Sequence, residues 1–295
     1  MLNANRGKIF NANDIISSQD FKKTIVNIDS RFRDNYTNDT TSNFSYRPLV
    51  PYKNIIRVAL VSAEIPNVFY TFTEERHNLN FNLITDIDTY TITITAGNYT
   101  APTMMNELTR LFDESVNTIE GRNIIAEINE ITGKVEIFDT SGGSTFELDF
   151  ATPFYTDRRT DWGLGYYLGF RQRYYSGDNN YIAESFSDVN VDQYVYLEIN
   201  DFVACEQNTI ENSIRCFAKI IIKENKYYTI FSDESAFLTN AITFAQPQDL
   251  SKFKIRLIDV FGKTIDLQDM GISLALELTE VVNSHVYKHY MTYQN

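Results

Sequence analysis

Short runs in which apolar and polar residues alternate recur along most of the chain: Val26/Ile28, Leu79/Phe81/Leu83, Tyr90/Ile92/Ile94, Ile124/Ala126/Ile128, Val135/Ile137, Phe146/Leu148/Phe150, Val195/Leu197/Ile199 and Leu274/Leu276/Leu278. A period of two places every apolar side chain on one face of an extended strand, so each run predicts a strand with one buried face. The residue supply agrees, because 21 Phe and 19 Tyr stand among Val, Ile and Thr, the types that pack well on a pleated surface. Three runs, Ile55 to Ile65, Cys216 to Ile222 and Phe253 to Val260, are more continuously apolar and predict central strands covered on both faces.

Turn chemistry separates these runs. Thr132-Gly133, Ser141-Gly142-Gly143, Asp178-Asn179-Asn180 and Phe261-Gly262-Lys263 each fall between apolar stretches. Many short strands with such punctuation predict an all-β antiparallel sandwich or barrel, not alternating β-α-β units. One helix is predicted, starting at Thr100 to Thr103 with Pro102 in its first turn. It continues through Met104, Met105, Leu108, Leu111, Phe112 and Val116 at helical spacing, a stripe suited to covering an opening or edge of the sandwich.

Residues 1–23 show no sustained period and predict an N-terminal arm that orders against a partner, leaving 24–295 as the folded domain. Within it, Asp34 to Asn43 reads as a loop. The stretch at about 155–189, rich in Arg, Tyr, Gly, Asp and Asn, reads as a long excursion of the functional kind.

The formal charge is −13, which argues against direct binding of nucleic acid or of anionic lipid. That charge is unevenly placed: residues 1–60 hold nine Lys/Arg against five Asp, net +4, and the rest carries −17. A basic leading segment could dock on the acidic body of a neighbouring copy, an association that salt would weaken. No run approaches the length of a transmembrane segment, and MLNANRGKIFNAND lacks the apolar centre of a secretory leader. Cys205 and Cys216 are too few for a disulfide framework and fit no common metal spacing, so free thiols in a reducing compartment are expected.

No catalytic residue, cofactor site or metal set is predicted. His285 and His289 lack nearby ligands to complete a site, and there is no nucleophile elbow, P-loop or dinucleotide fingerprint. What stands out is surface suited to partners. Asp161 to Tyr175 (DWGLGYYLGFRQRYY) gathers Trp162, Tyr166, Tyr167, Phe170, Arg171 and Arg173, the residue types that dominate protein interfaces, although a core strand flanked by arginines is the competing reading. Ile28 to Tyr36 (IDSRFRDNY) alternates carboxylates with Arg31 and Arg33, a cluster able to fix either a neighbour or its own loop.

The order of IDSRFRDNY, NIIRVALVSAEIPNVFYTF (54–72), AGNYTAPTMMNELTRLF (96–112), YYLGFRQ (166–172) and IRLIDVFGKTIDLQDMGISLALEL (255–278) resembles the penton and related minor capsid proteins of large nucleocytoplasmic DNA viruses. The resemblance implies a single jelly-roll sandwich with one main helix and long inserted loops. It implies a non-enzymatic virion protein, a penton base subunit forming a homopentamer at the icosahedral vertices of a large dsDNA virus capsid. Its partners would be further copies of itself, the major capsid protein and other minor capsid proteins, with assembly in the cytoplasm of the infected cell. Two alternatives stay open: a minor capsid or cement protein beneath the shell and, from a different class, a glycan-binding jelly roll.

Overall fold

The computed structural model describes residues 21–142, 144–151, 163–190, 192–208, 213–233 and 241–282. Most of the predicted arm, Trp162, the start of the predicted excursion, and His285 with His289 therefore lie outside the described residues. The chain divides into two compact units: Met1–Val68 with Tyr194–Asn295, and Phe69–Gln193 inserted between them in sequence. The predicted excursion falls entirely within the second unit.

The described residues form 18 strands. The first unit begins with β1 (Phe21–Asp29), β2 (Asn43–Tyr46) and β3 (Tyr52–Pro66). The second unit holds β4 (Asn80–Ile84), β5 (Thr89–Thr93), β6 (Ile124–Ile128), β7 (Lys134–Asp139), β8 (Phe146–Asp149), β9 (Tyr174–Asp178) and β10 (Asn180–Phe186). The chain then returns to the first unit through β11 (Tyr194–Ile199), β12 (Cys205–Asn208), β13 (Ser213–Cys216) and β14 (Ala218–Ile221). It closes with β15 (Thr229–Asp233), β16 (Ala241–Leu250), β17 (Phe253–Ile258) and β18 (Ser273–Val281).

In the first unit one sheet runs β1-β18-β3-β15, with β16 also on β3, a second runs β14-β11-β17-β2, and β12 pairs with β13 as a two-stranded sheet. Every pairing is antiparallel. Successive strands alternate between the sheets, β1 to β2 to β3 and later β16 to β17 to β18, so hydrogen-bonded neighbours come from opposite ends of the sequence. That interleaving of Greek keys is the jelly-roll topology. Period-two burial supplies its core: Val26 and Ile28 on β1, Val195, Leu197 and Ile199 on β11, Phe253, Ile255 and Leu257 on β17, and Leu274, Leu276 and Leu278 on β18.

The predicted central positions hold for β3, which pairs with β18, β15 and β16, and for β17, which lies between β11 and β2. Cys216 to Ile222 differs. It breaks at Phe217 into β13 and β14, and β14 is an edge strand. The buried Phe217 donates its N–H to the Leu197 carbonyl (2.8 Å) and packs on Phe202, which makes the junction as apolar as the strands it joins. Continuous hydrophobicity reports burial and leaves strand order open.

The second unit contains the sheets β5-β4-β8-β9 and β10-β7-β6 around one aromatic core that includes Phe72, Phe81, Phe112, Phe146 and Phe150. The helix spans Ala101–Phe112. Thr100 caps it by accepting from Thr103 N, while the Thr103 hydroxyl accepts from Thr100 N, and Pro102 sits in the first turn. Met104, Met105, Leu108 and Phe112 are buried in this unit's core. Beyond Phe112 a π-type turn, Asp113–Asn117, rotates Val116 and Asn117 inward.

Candidate assembly surfaces

On the first unit, the loop after β1 is held in place by its own charges. Asp29 accepts from Arg31 N (2.8 Å) and pairs with the Arg31 guanidinium (2.6 Å). The Arg31 hydrogen bonds hold the Asp29 carboxyl below its usual range. Buried Ser30 exchanges backbone and hydroxyl bonds with Ile272 (Ser30 N to Ile272 O, 3.0 Å; Ile272 N to Ser30 Oγ, 2.9 Å). Arg33 donates to the Asp39 and Ser30 carbonyls (3.1 and 3.0 Å), and its guanidinium lies 3.9 Å from the centre of the Tyr36 ring. The structure thus shows the internal bracing of IDSRFRDNY, with both arginines at work inside the loop.

The same loop lies along the outer edge of β2. Asp34 N donates to Ser45 O (2.8 Å), Ser45 N donates to Asp39 Oδ2 (3.1 Å), and Arg47 pairs with Asp34 (2.8 Å). A covered edge strand cannot recruit a stray strand. With the polar groups turned inward, apolar ones face out: Phe32 and Tyr36 on the loop, and Leu49 and Val50 in the Pro48-to-Pro51 link, are all exposed, Leu49 completely. Leu49 and Val50 fall outside every alternating run of the sequence. Their signal was two aliphatic residues between two prolines, where no strand can bury them.

The described cations of the leading segment are engaged within the copy. Lys22 pairs with Glu280 (3.5 Å), Lys23 and Arg57 with Glu277 (3.0 and 2.9 Å), and Lys53 with Asp249 (2.7 Å). Much of the charge asymmetry read from the sequence is therefore neutralised by strand pairing, chiefly β1 and β3 against β18.

On the second unit, a short helix, Leu164–Leu168, turns the aromatic segment half inward. Tyr167 and Phe170 are each 2% exposed; Tyr167 packs 5.1 Å from Phe72, and Phe170 stacks on Phe150 at 5.0 Å between ring centres. They are core residues and present no surface for a partner. Tyr166 is half-buried beneath the Arg171 guanidinium, 4.4 Å from its ring, and Arg171 also donates to the Tyr166 and Phe170 carbonyls (2.8 and 3.0 Å). Arg173 is exposed. Tyr175 accepts from Arg171 N (3.1 Å) and Gln172 N (3.0 Å) and donates to Glu184 (2.7 Å). Burial and that carboxylate push the Tyr175 hydroxyl up to about 12. Arg171 thus caps a packed aromatic base with a cation.

Strand order defines the class of fold: a jelly roll with a second β unit inserted in sequence between β3 and β11. No protein-family model and no curated protein matches the sequence. Among solved structures, the chain is similar to the mavirus penton protein, with 10% identity and a TM-score of 0.47 over 87% of this chain and 99% of that one. It is also similar to a chain in the structure of the Sputnik virophage, with 11% identity and a TM-score of 0.43 over 88% of this chain and 97% of that one.

Proposed function

We propose that this chain is a structural capsid protein, the penton subunit of a large DNA virus, acting as a homopentamer at the icosahedral vertices and meeting the major capsid protein and other minor capsid proteins around them. The observation that carries the reading is the pairing of a jelly-roll body with outward apolar residues, Phe32 and Tyr36 on a charge-braced loop and Leu49 and Val50 in the link that follows β2. A shell subunit needs a rigid body and a flank that a neighbour can bury, and in a closed ring that contact is heterologous. The collinear motifs from IDSRFRDNY to LALEL support the same reading.

In this proposal Arg31 and Arg33 hold the loop from within, while Tyr166, Arg171 and Arg173 form a second contact surface. Tyr167 and Phe170 brace that surface from below. Because the described cations of residues 22–57 are engaged inside the copy, apolar contact is the main adhesive at this flank and salt a minor influence there.

The test is the mass of the purified protein in solution, followed by imaging of particles at the fivefold axis. A ring of five 34.1 kDa subunits that survives about 1 M salt but dissociates on Leu49→Asp or Val50→Asp is the expected result. Density for this chain away from the vertices would overturn the penton role, and a ring untouched by both substitutions would overturn the assigned flank.

A further inference from the structure

The two cysteines, eleven positions apart in sequence, are cross-strand neighbours. In the register of β12 with β13, Cys205 stands directly opposite Cys216. Directly opposed residues of an antiparallel pair point to the same side and have Cα atoms about 4.5–5.5 Å apart. That spacing lies inside the about 4.4–6.8 Å range that a disulfide spans. Cys216 Sγ already lies over its partner's backbone, 3.5 Å from the Cys205 carbonyl oxygen. Both side chains belong to a small apolar cluster with Tyr194, Tyr196, Ile214 and Ile258, where strands β12 and β13 pack against β11 and β17. Both are free thiols in this structure, Cys216 buried and Cys205 half-buried.

We propose that Cys205 and Cys216 are a reversible redox staple, forming an intramolecular disulfide when the folded protein meets a low-molecular-weight disulfide. In the first step the Cys205 thiolate attacks one sulfur of the small disulfide, forming a mixed disulfide and expelling one small thiolate. Cys216 then gives up its proton to solvent, and its thiolate attacks Cys205 Sγ, expelling the second small thiolate. Two protein thiols are oxidised by two electrons, and the small disulfide is reduced to two thiols.

Accessibility fixes the order of these steps. Burial, together with the neighbouring Cys205, pushes the Cys216 thiol up to about 12, so the entering sulfur is Cys205. The product is neutral and apolar, suited to its cluster, and it joins two short strands that otherwise hold each other by four register pairs. The staple is independent of the capsid reading and holds for any location where reducing and oxidising surroundings are met in turn.

The full-length protein, purified under reductant, is incubated with oxidised glutathione, treated with N-ethylmaleimide and weighed intact. The expected result is loss of about 2 Da with no maleimide adduct, restoration of two reactive thiols after reduction and denaturation, and a linked peptide containing Cys205 and Cys216. Amide exchange at Glu206 to Asn208 and at Ser213 to Arg215 should slow about tenfold in the oxidised form. Cys205→Ser should abolish the 2 Da loss and leave Cys216 without glutathione in the native state. The proposal is overturned if both thiols stay alkylatable after oxidation, if a mixed disulfide at Cys205 persists unresolved, if the link joins two chains, or if exchange is unchanged in the linked form.

Discussion

Arg76 Nη1 donates to Asp192 Oδ2 at 2.8 Å across 116 positions of sequence, with both side chains more than nine-tenths out of solvent. The pair lies close to the two ends of the second unit, Phe69–Gln193, and Arg76 also donates to the Thr71 carbonyl (3.3 Å). It therefore ties the first turn of the inserted unit to its last residues. Removing one partner strands a buried charge, so Arg76→Ala or Asp192→Ala should each cost about 3–5 kcal/mol. The double variant Arg76→Met/Asp192→Leu should regain most of that loss. Urea unfolding of the full chain reads both, and additive costs in the double variant would contradict the assignment.

A second tie lies at the free edge of β6. Ile124 N donates to Asn117 Oδ1 (2.8 Å), and Asn117 Nδ2 donates to Ile124 O (2.9 Å), so one side-chain amide stands in for the missing neighbouring strand. Thr109 does the same more weakly at Ala126, with distances of 3.2 and 3.4 Å. Asn117→Ala would leave two buried backbone groups unpaired, at a cost of about 2–4 kcal/mol, against about 1 kcal/mol for Thr109→Ala. Asn117→Asp should be no rescue, because its second oxygen would face both the Ile124 carbonyl and Asp113, which now accepts from the Asn117 amide (2.8 Å). Thermal unfolding of the three variants gives the ranking.

Features written in a few adjacent residues were legible in advance. The Thr100 cap, Pro102 and the stripe from Met104 to Phe112 specify the helix locally, and alternation located β4 to β8 because a half-buried strand must alternate. What escaped depends on contacts distant in sequence. Residues 69–193 alternate in the same way as their flanks, so nothing in the pattern announces a separate unit. Pairing of β1 with β18 joins segments some 250 residues apart, whose apolar faces would fit many partners. Asn117 reads as a surface residue until the π-type turn rotates it inward. At the candidate surfaces, residue type drew attention to Tyr167 and Phe170. Burial was decided by the five-residue helix that puts Leu164, Tyr167 and Leu168 on one side.

That helix ends on Gly169 at φ 97°, and a Cβ there would stand 2.3 Å from the Ser185 carbonyl oxygen. Ser185 N donates back to Gly169 O (3.0 Å), so neither backbone can retreat without losing a bond. Gly177, at φ 87°, has open space around the same position. Gly177→Ala should therefore report the backbone conformation alone, at about 1–2 kcal/mol. Gly169→Ala adds a backbone collision and should exceed it by at least about 1 kcal/mol. Equal losses in thermal unfolding would mean that the close approach to Ser185 carries no energetic weight.

The acid limb of stability should trace in part to Asp139. Its buried carboxylate accepts from Ser141 N (2.8 Å), Ser141 Oγ (2.6 Å) and Arg122 Nε (2.8 Å). Burial by itself would raise this group, but the donors outweigh it and hold the carboxyl below its ordinary value of 3.8. A carboxylate depressed in the folded state binds its proton more readily when unfolded, so its contribution is complete above 3.8 and fades as pH falls below that value toward the folded one. Asp139→Asn should lower the urea midpoint at neutral pH and flatten its decline in acid, bringing the two proteins together at the lowest pH. Parallel curves for the two proteins, offset by a constant amount at every pH, would show that the Asp139 charge contributes nothing beyond its shape.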